Sequence, residues 1–343
     1  MPRSTMTILA YHRIALPGSR DISPALIDAY PADFEAQMRY VAAKYNVISS
    51  FDLVRALTED YTLPRRALVI TFDDGYSCFA NTAMPVLRRL GLPVTLFVAS
   101  LFTGKPQTQF WWDRLYRALL NTDIKEVDVP GFGPVPLSSE GERLAAYEKL
   151  VTIIERREEV QAHRLVEQVV ESCTVRVSSG GSGGPGAFKD AADSACPRPY
   201  LLDWSEIEAL SAEGVAVGPH SRSHPILAQQ TTARLQSEVS GSWADLQEHV
   251  SRPLPIFCYP NGKPHAISRE AVSAVQQAGL AGAVTMVAGL NQLGSTNPYL
   301  LYRIGMEAGQ SLPRFQFKLT PAARFYRRLK AVARPRSAER FRL

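Results

Sequence analysis

Seven short runs of apolar and β-branched residues alternate along the chain with segments whose apolar residues recur every three or four positions. The runs occupy residues 7–11, 67–72, 94–98, 215–218, 256–259, 282–287 and 300–304. Helical periodicity is found at residues 34–45, 83–90, 204–212, 235–250 and 266–278. Such alternation is typical of parallel strands joined by crossover helices. Because seven units fit a closed or nearly closed sheet better than an open one, we predict an α/β fold, a seven-stranded (β/α) barrel with an insertion.

The alternation is interrupted over residues 102–199, where only helical patterns and one low-complexity stretch are found. That stretch, residues 178–186, consists of Gly, Ser and one Pro, and has too little apolar surface to offset the entropy of ordering it. We therefore predict a barrel domain over residues 1–312, interrupted by a helical and low-complexity insertion at 102–199. We expect the low-complexity stretch to be disordered and residues 313–343 to form a separate basic tail.

The net charge of +5 is unevenly distributed, because residues 313–343 contain ten Lys or Arg and one acidic residue. Apolar residues recur in this tail at nearly helical spacing. One interpretation is a solvated C-terminal helix packed on the barrel, and the other is peripheral contact with an anionic membrane surface. Nucleic acid is not expected as a partner, since no nucleic-acid-binding motif accompanies the charge.

Cysteines and apolar stretches bear on the compartment of the protein. The four cysteines are scattered and form no Cys-x-x-Cys pair, which argues against a disulfide framework or a zinc knuckle. The first residues lead directly into a strand-like run without the apolar region of a signal peptide, and no stretch of about 18 uncharged apolar residues is present. We therefore expect a cytoplasmic protein, with the inner face of the membrane as an alternative location.

Two adjacent carboxylates, Asp73 and Asp74, directly follow the apolar run at 67–72. The simplest interpretation is a turn, because Asp-Gly is a common turn dipeptide. The alternative interpretation is functional, since adjacent residues at the end of a strand point to different sides and can take different tasks. One carboxylate would then bind a metal ion while the other transfers protons, at the strand ends where barrel active sites lie.

A pair of histidines, His220 and His224, follows the run at 215–218. Two histidines four residues apart can simply share one exposed face. However, prolines at 219 and 225 bracket the pair, and a residue before proline avoids the α region, so a rigid turn is predicted. Two imidazoles and one carboxylate leave open positions on zinc or a similar ion, which is the pattern of a catalytic metal site.

These motifs resemble the polysaccharide deacetylase family, the NodB-like carbohydrate esterases. The similarity covers TFDDGY at 71–76 with the helix and strand that follow, HSRSHP at 220–225, and FCYPNG at 257–262. The third motif and the sequence WWDRL at 111–115 are similar to the branch of bacterial exopolysaccharide and poly-N-acetylglucosamine deacetylases. The resemblance extends over residues 7–306 apart from the low-complexity stretch, and implies a distorted barrel with a divalent metal ion.

Transferred residue by residue, the resemblance implies that Asp74, His220 and His224 bind the metal ion and that Asp73 is the general base. The backbone amide of Tyr259 is implied to stabilise the oxyanion. Zinc is the expected ion, with cobalt, nickel and iron as alternatives, because all four accept two imidazoles and a carboxylate.

The sequence departs from the family pattern at two functional positions. Many members carry a general-acid histidine late in the sequence, whereas the run at 300–304 has none. Members with permuted motif order place that acid in an N-terminal Tyr-His pair, and we assign it to His12; a histidine that only caps the strand end is the alternative. The arginine that orients the base is also missing from residues 257–262, and we predict that Arg303 substitutes for it from the last strand.

Three functions are compatible with these residues. The first is a metal-dependent hydrolase of carbon–nitrogen bonds that removes the N-acetyl group of an N-acetylhexosamine in a glycan and releases acetate. The second is a glycoside hydrolase that uses Asp73 and Asp74 as its acid and base, although it leaves both histidines unexplained. The third is a glycan-binding barrel that has lost turnover. We favour the first, since base, ligands and a candidate acid are all present.

Overall fold

The computed structural model describes residues 5–19, 22–103, 105, 108–174, 200–320 and 322–323. These residues separate into two compact units. The first unit contains the described residues within Met1–Pro17, Ala25–Thr108 and Cys196–Leu343, and the second contains those within Gly18–Pro24 and Gln109–Ala195. The low-complexity stretch at 178–186 and most of the basic tail lie outside the described residues, so the predictions made for them stay predictions.

Strands and helices alternate along most of the chain. The strands are β1 (Thr5–Tyr11), β2 (Asn46–Val47), β3 (Ala67–Phe72), β4 (Thr95–Val98), β5 (Glu126–Val129), β6 (Gly133–Pro136), β7 (Ala216–Pro219), β8 (Ile256–Cys258), β9 (Gly282–Val284), β10 (Asn291–Gln292) and β11 (Ile304–Gly305). The α-helices are α1 (Pro31–Lys44), α2 (Ser50–Thr58), α3 (Met84–Leu90), α4 (Trp111–Leu120), α5 (Glu140–Ile154), α6 (Glu159–Thr174), α7 (Trp204–Ala212), α8 (Thr232–His249), α9 (Arg269–Gln277) and α10 (Leu312–Lys318). Within the described part of the chain, none of the helices combines the length and the hydropathy that a membrane span requires.

The framework of the first unit is a sheet that has seven strands among the described residues. β1, β3, β4 and β7 run parallel in that order, and β11 pairs in parallel with the other side of β1. β8 and β9 form a further parallel pair, which a bridge from Val284 to Leu301 connects to the segment before β11. A hydrogen bond from Leu254 N to Val217 O, 2.7 Å long, links β7 to the segment before β8. Strand pairing therefore continues nearly all the way round the first unit. This confirms the predicted α/β fold and is consistent with a distorted barrel.

Side chains along β1 alternate between two apolar clusters. Met6 and Ile8 lie with Val69 of β3 and Phe97 of β4 in one cluster, which we call the interior cluster. Leu9 belongs to a second cluster, which includes residues of α1, α3 and α7. Successive strand residues point to opposite faces, so a strand that is apolar throughout is buried on both faces. This explains why the parallel strands appear in the sequence as continuous apolar runs.

The second unit contains a short hairpin in addition to the helices predicted for the insertion. Besides α4, α5 and α6 it contains an antiparallel hairpin of β5 and β6, with Val127 opposite Val135. Val127 and Val129 are buried while their neighbours are exposed, which is the period of a strand. Gly131 and Gly133 supply the left-handed φ angles of 81° and 73° in the turn. The hairpin was not predicted because two four-residue strands are too short to be recognised beside long helical patterns.

The last predicted strand, at 300–304, is split in the structure. Pro298–Leu300 forms a 3₁₀ turn, Leu301 makes a bridge to β9, and only Ile304–Gly305 pairs with β1. Between these points the side chain of Asn291 accepts from the N–H of Tyr302 and donates to its carbonyl, both at 2.8 Å. A side-chain amide therefore takes the place of a neighbouring strand at this position.

Candidate metal centre

Polar side chains collect at the carboxyl ends of the barrel strands. Val69 belongs to the interior cluster, and the alternation of strand side chains continues that face through Thr71 to Asp73. By the same period, Arg303 lies on the face of Leu301, which is also part of the interior cluster. The barrel thereby brings together Asp73 and Arg303, which are 230 positions apart in the sequence.

Asp73 is held by Arg303 through two hydrogen bonds. Arg303 Nη1 donates to Asp73 Oδ1 and Arg303 Nη2 donates to Asp73 Oδ2, both at 2.7 Å, and both side chains are buried. Burial alone would raise the pKa of Asp73, but the guanidinium charge and its hydrogen bonds lower that pKa well below its usual range. Asp73 is therefore ionised and fixed in orientation, as a proton acceptor requires. The role of Arg303 in orienting a base stays a prediction that this geometry supports.

Asp74 turns away from Arg303 through its backbone conformation. Its φ angle of 75° lies in the left-handed region, and Gly75 follows with a φ of 80°. Asp tolerates this region better than most residues, and Gly adopts it without strain. A Cβ at position 75 would also lie 3.3 Å from Val98 Cγ1, so the turn is closely packed. The turn interpretation and the functional interpretation of this dipeptide are therefore compatible, because the turn directs the carboxylates of Asp73 and Asp74 to different positions.

Asp74, His220 and His224 come together with the spacing of metal ligands. Asp74 Oδ1 lies 3.3 Å from His220 Nε2 and 3.5 Å from His224 Nε2. This oxygen is buried and accepts no hydrogen bond from the described residues. Ligand atoms bound at about 2.0–2.2 Å around a tetrahedral ion are separated by roughly 3.3–3.6 Å. The residues therefore fit a divalent metal ion, which would also satisfy the buried oxygen.

The two imidazoles are prepared for this role in different ways. His220 Nδ1 lies 2.7 Å from the carbonyl oxygen of Cys258, so Nδ1 carries a proton and Nε2 is left to face Asp74. Burial lowers the pKa of His220, but the Asp74 carboxylate raises it above its usual value, so an ion would displace a proton from Nε2. Burial and the neighbouring His220 lower the pKa of His224 to about 4, which keeps this imidazole neutral.

His12 lies between two carboxylates. Its Nδ1 is 3.3 Å from Asp28 Oδ2, and its Nε2 is 3.7 Å from Asp73 Oδ2. Asp28 also accepts hydrogen bonds from the backbone N–H groups of His12 and Arg13, at 2.5 and 2.9 Å. Desolvation lowers the pKa of His12, but the Asp28 carboxylate more than compensates and the pKa rises to about 9. At neutral pH His12 is therefore a proton donor, and its side chain remains 30% exposed.

Two residues at this site, Asp28 and Cys258, were not identified from the sequence. Cys258 Sγ donates to Asp73 Oδ2 at 3.4 Å and accepts from Arg303 Nη2 at 3.2 Å, and burial raises the pKa of the thiol so that it stays neutral. The alternation along β8 could have placed it, because Ile256 and Cys258 both face the interior cluster. Asp28 lies in an irregular segment, and no motif in the sequence marks it.

The backbone amide of Tyr259 belongs to the same peptide unit as the Cys258 carbonyl that contacts His220, whereas the side chain of Tyr259 lies elsewhere. Its backbone N–H donates to Val284 O at 3.2 Å and is therefore used in the pairing of β8 with β9. Its ring packs among apolar residues of α8 and α9, including Val239 and Val275. The oxyanion contact of this amide stays a prediction, and this hydrogen bond does not support it.

Fold and site together define an α/β barrel protein with a buried carboxylate and imidazole cluster suited to a divalent cation. The family model for polysaccharide deacetylases matches residues 60–123 and 160–283, which is more than half of the chain. The chain therefore belongs to the polysaccharide deacetylase family, and this confirms the resemblance found in its motifs.

One curated relative is similar to part of this chain. The Bacillus subtilis protein YxkH, assigned by its name to the polysaccharide deacetylases, is 30% identical over 100 residues. That match covers 29% of this chain and spans only 33% of the relative's own length.

Solved structures with a similar fold share little sequence with this chain. The Streptococcus pyogenes deacetylase PplD in complex with acetate has a TM-score of 0.59 at 15% identity, over 93% of this chain and 100% of that one. IcaB from Ammonifex degensii has a TM-score of 0.56 at 16% identity, over 92% and 98% of the two chains. A de-N-acetylase from Aggregatibacter actinomycetemcomitans has a TM-score of 0.56 at 14% identity, over 92% and 100%. At such identities the likeness establishes the fold.

Proposed function

We propose that the protein is a metal-dependent deacetylase that hydrolyses the N-acetyl group of an N-acetylhexosamine in a glycan and releases acetate. The observation that carries the proposal is the triad of Asp74, His220 and His224 at ligand spacing, directly beside an ionised Asp73. Membership of the polysaccharide deacetylase family supports a carbohydrate substrate. Zinc is the proposed ion, with cobalt, nickel and iron as alternatives.

Each residue of the site has a distinct role in this proposal. A divalent ion held by Asp74 and the two histidines would polarise the amide carbonyl and lower the pKa of water. Asp73 accepts the proton of the attacking water, while Arg303 keeps its carboxylate in place. His12 then donates a proton to the departing amine nitrogen, and Asp28 stabilises the protonated imidazole. The acetate in the structure of the S. pyogenes deacetylase is the product proposed for this chain.

The glycoside hydrolase alternative has weaker support. That mechanism needs one carboxyl group to remain protonated near neutral pH so that it can act as the acid. The pKa values of both Asp73 and Asp74 are instead lowered, by Arg303 and by the neighbouring imidazoles. The deacetylase proposal needs no protonated carboxyl group, and it also explains the two histidines.

Product analysis tests the proposed function. Acetate and glycan length are measured after incubation with a panel of N-acetylated glycans, with a chelator present and again after Zn²⁺ is restored. We expect acetate release from at least one glycan of unchanged length, loss of that activity with chelator and recovery with Zn²⁺. Shortened glycans without free acetate would establish the glycoside hydrolase instead.

Arg303→Lys is expected to lower kcat by up to about 100-fold without changing zinc affinity. A lysine ammonium cannot make both hydrogen bonds to Asp73, so the base loses its orientation while the ligand triad is untouched. Steady-state kinetics and a zinc titration measure the two effects, with Arg269→Lys on the exposed surface of α9 as the control. Parental kcat in the Arg303 variant would remove this residue from the proposed mechanism.

We further propose that the basic tail binds an anionic membrane surface. Among the described residues of the tail, Phe315 of α10 is buried but Phe317 is 48% exposed. Residues 324–343 add eight Lys or Arg and one acidic residue, and each cation near a charged lipid surface contributes about 1 kcal/mol. A chain that ends at residue 323 should therefore bind less to vesicles with anionic lipids, while neither form binds neutral vesicles. Equal sedimentation of the two forms with anionic vesicles would contradict this.

A further inference from the structure

The turn that carries both histidines, residues 220–224, adopts a backbone that must be held in place from outside. Ser221 has a φ of 62° and His224 a φ of 58°, although neither is glycine. Left-handed conformations are unfavourable for residues with a Cβ and persist only where surrounding contacts impose them. One such contact is local, since Ser221 Oγ accepts a hydrogen bond from the N–H of His224 at 3.0 Å.

The carbonyl groups of the turn are bound by the segment after β4. The N–H of Ser100 donates to Ser221 O at 3.2 Å, and the N–H of Leu101 donates to Arg222 O at 2.9 Å. These hydrogen bonds fix one side of the turn. Its N–H groups face the opposite side, towards α8, and need an acceptor there because buried amides are costly to leave unpaired.

That acceptor is Glu238 of α8, whose side chain is fully buried. Its Oε2 accepts from the backbone N–H groups of Arg222 and Ser223, at 2.9 and 2.8 Å. Its Oε1 accepts from Ser223 Oγ at 2.7 Å and lies 3.0 Å from Arg234 Nη2. One carboxylate oxygen therefore binds two successive amides in the middle of the metal-ligand turn, which fixes the peptide plane between them. A buried carboxylate that accepts these hydrogen bonds is held in one orientation.

The same face of α8 also holds the side chain of Arg222. Asp245, seven residues after Glu238, accepts from Arg222 Nε at 2.9 Å and from Ser100 Oγ at 2.5 Å. Gly241 lies between Glu238 and Asp245 on the helix. A Cβ at this position would lie 2.6 Å from Arg222 Cδ, so the side chain of Arg222 can cross α8 only because residue 241 is glycine. Asp245 thereby links α8 to the segment after β4, and these are the two segments that contact the turn.

From this geometry we infer that Glu238 is a positioning residue for the metal centre. It acts through the backbone of residues 222–223, which lies between the two ligand histidines and sets the distance between His220 and His224. The inference rests on the proposed metal binding at this triad. Loss of the carboxylate should let the turn relax towards less strained φ angles and so weaken the ion's binding, even in a folded protein.

Zinc affinity of the full chain tests the inference, measured by competition with a chromophoric chelator. Glu238→Ala is expected to lose about 10–100-fold in affinity, the range typical of groups that orient metal ligands. Glu238→Gln should lose less, because its amide oxygen can still accept both N–H groups. Glu248→Gln, an exposed position on the same helix, is the matched control and should bind zinc like the parent. Bound Co²⁺ should also show an altered visible spectrum in Glu238→Ala.

A purely structural role makes a different prediction, so thermal unfolding of the metal-free proteins is measured in parallel. A lower Tm with zinc affinity within twofold of the parent in both Glu238 variants would overturn the inference. If Glu238→Ala does not fold, Glu238→Met decides, because it keeps the length of the side chain without an acceptor oxygen, and parental zinc affinity in that variant would overturn the inference. A parent chain that binds no zinc would instead refute the proposed function, which separates the two failures.

Discussion

Asp73→Asn is expected to lower kcat by about 10²–10⁴-fold while zinc stays bound with parental affinity. An amide cannot accept the proton of the attacking water, so the contribution of a general base is lost. The ligand triad is unaffected, because Asp73 lies beside it and contributes no atom to it. Acetate release under saturating substrate and a zinc titration on the same preparation measure the two quantities.

Asp60→Asn provides the control for this substitution, since it makes the same chemical change at an exposed position of the first unit. It should leave kcat and zinc affinity at the parental values. Parental turnover in Asp73→Asn would contradict the assignment of the base. A parent chain that binds glycans without turnover would favour the non-catalytic barrel.

His224→Ala is expected to reduce zinc affinity by more than about 100-fold, beyond the loss typical of groups that only orient a ligand. The substitution removes one of three donors and leaves Asp74 Oδ1 with a single imidazole neighbour. Deacetylase activity should fall to the level of the chelator-treated parent, because both treatments remove the same ion. Competition titration with zinc and acetate release test these two statements.

Loss of a histidine outside the ligand triad should not affect zinc binding or activity, and His265→Ala tests this. His265 is exposed and lies outside the ligand triad, so its loss should change neither zinc affinity nor activity. Excess Zn²⁺ should restore part of the activity of His224→Ala, since two ligands remain. Undiminished zinc affinity in His224→Ala would contradict the metal site, whatever the activity.

Site residues could be predicted from the sequence where they follow a recognisable strand, and could not where they lie in irregular segments. Asp74 and the histidine pair could be found because each follows an apolar run directly, and parallel strand ends meet at one edge of a barrel. Arg303 could be proposed from its position in the last run, although the strand there is split. Asp28 could not be found, since it lies in an irregular segment and reaches His12 only through the tertiary fold.

The sequence was least informative where local patterns were weak or where contacts formed between distant segments. The hairpin of β5 and β6 was missed because its strands are four residues long. The oxyanion role of the Tyr259 amide stays a prediction, and the hydrogen bond of this amide to Val284 O is a contact between two strands that no sequence motif specifies. Glu238 was missed for a similar reason, since it binds backbone groups of a turn fifteen and sixteen residues before it.

By itself, the sequence determined the order of strands and helices, and with it the barrel class and the strand ends on which the acidic and imidazole groups stand. These follow from periodicity and turn chemistry, which act over a few neighbouring residues. Only the tertiary structure decided which further atoms meet: Asp28 with His12, the Cys258 carbonyl with His220, and Glu238 with the turn between the histidines. Such contacts depend on strand register and helix packing across the whole barrel, where a shift of one residue would move every side chain to the other face.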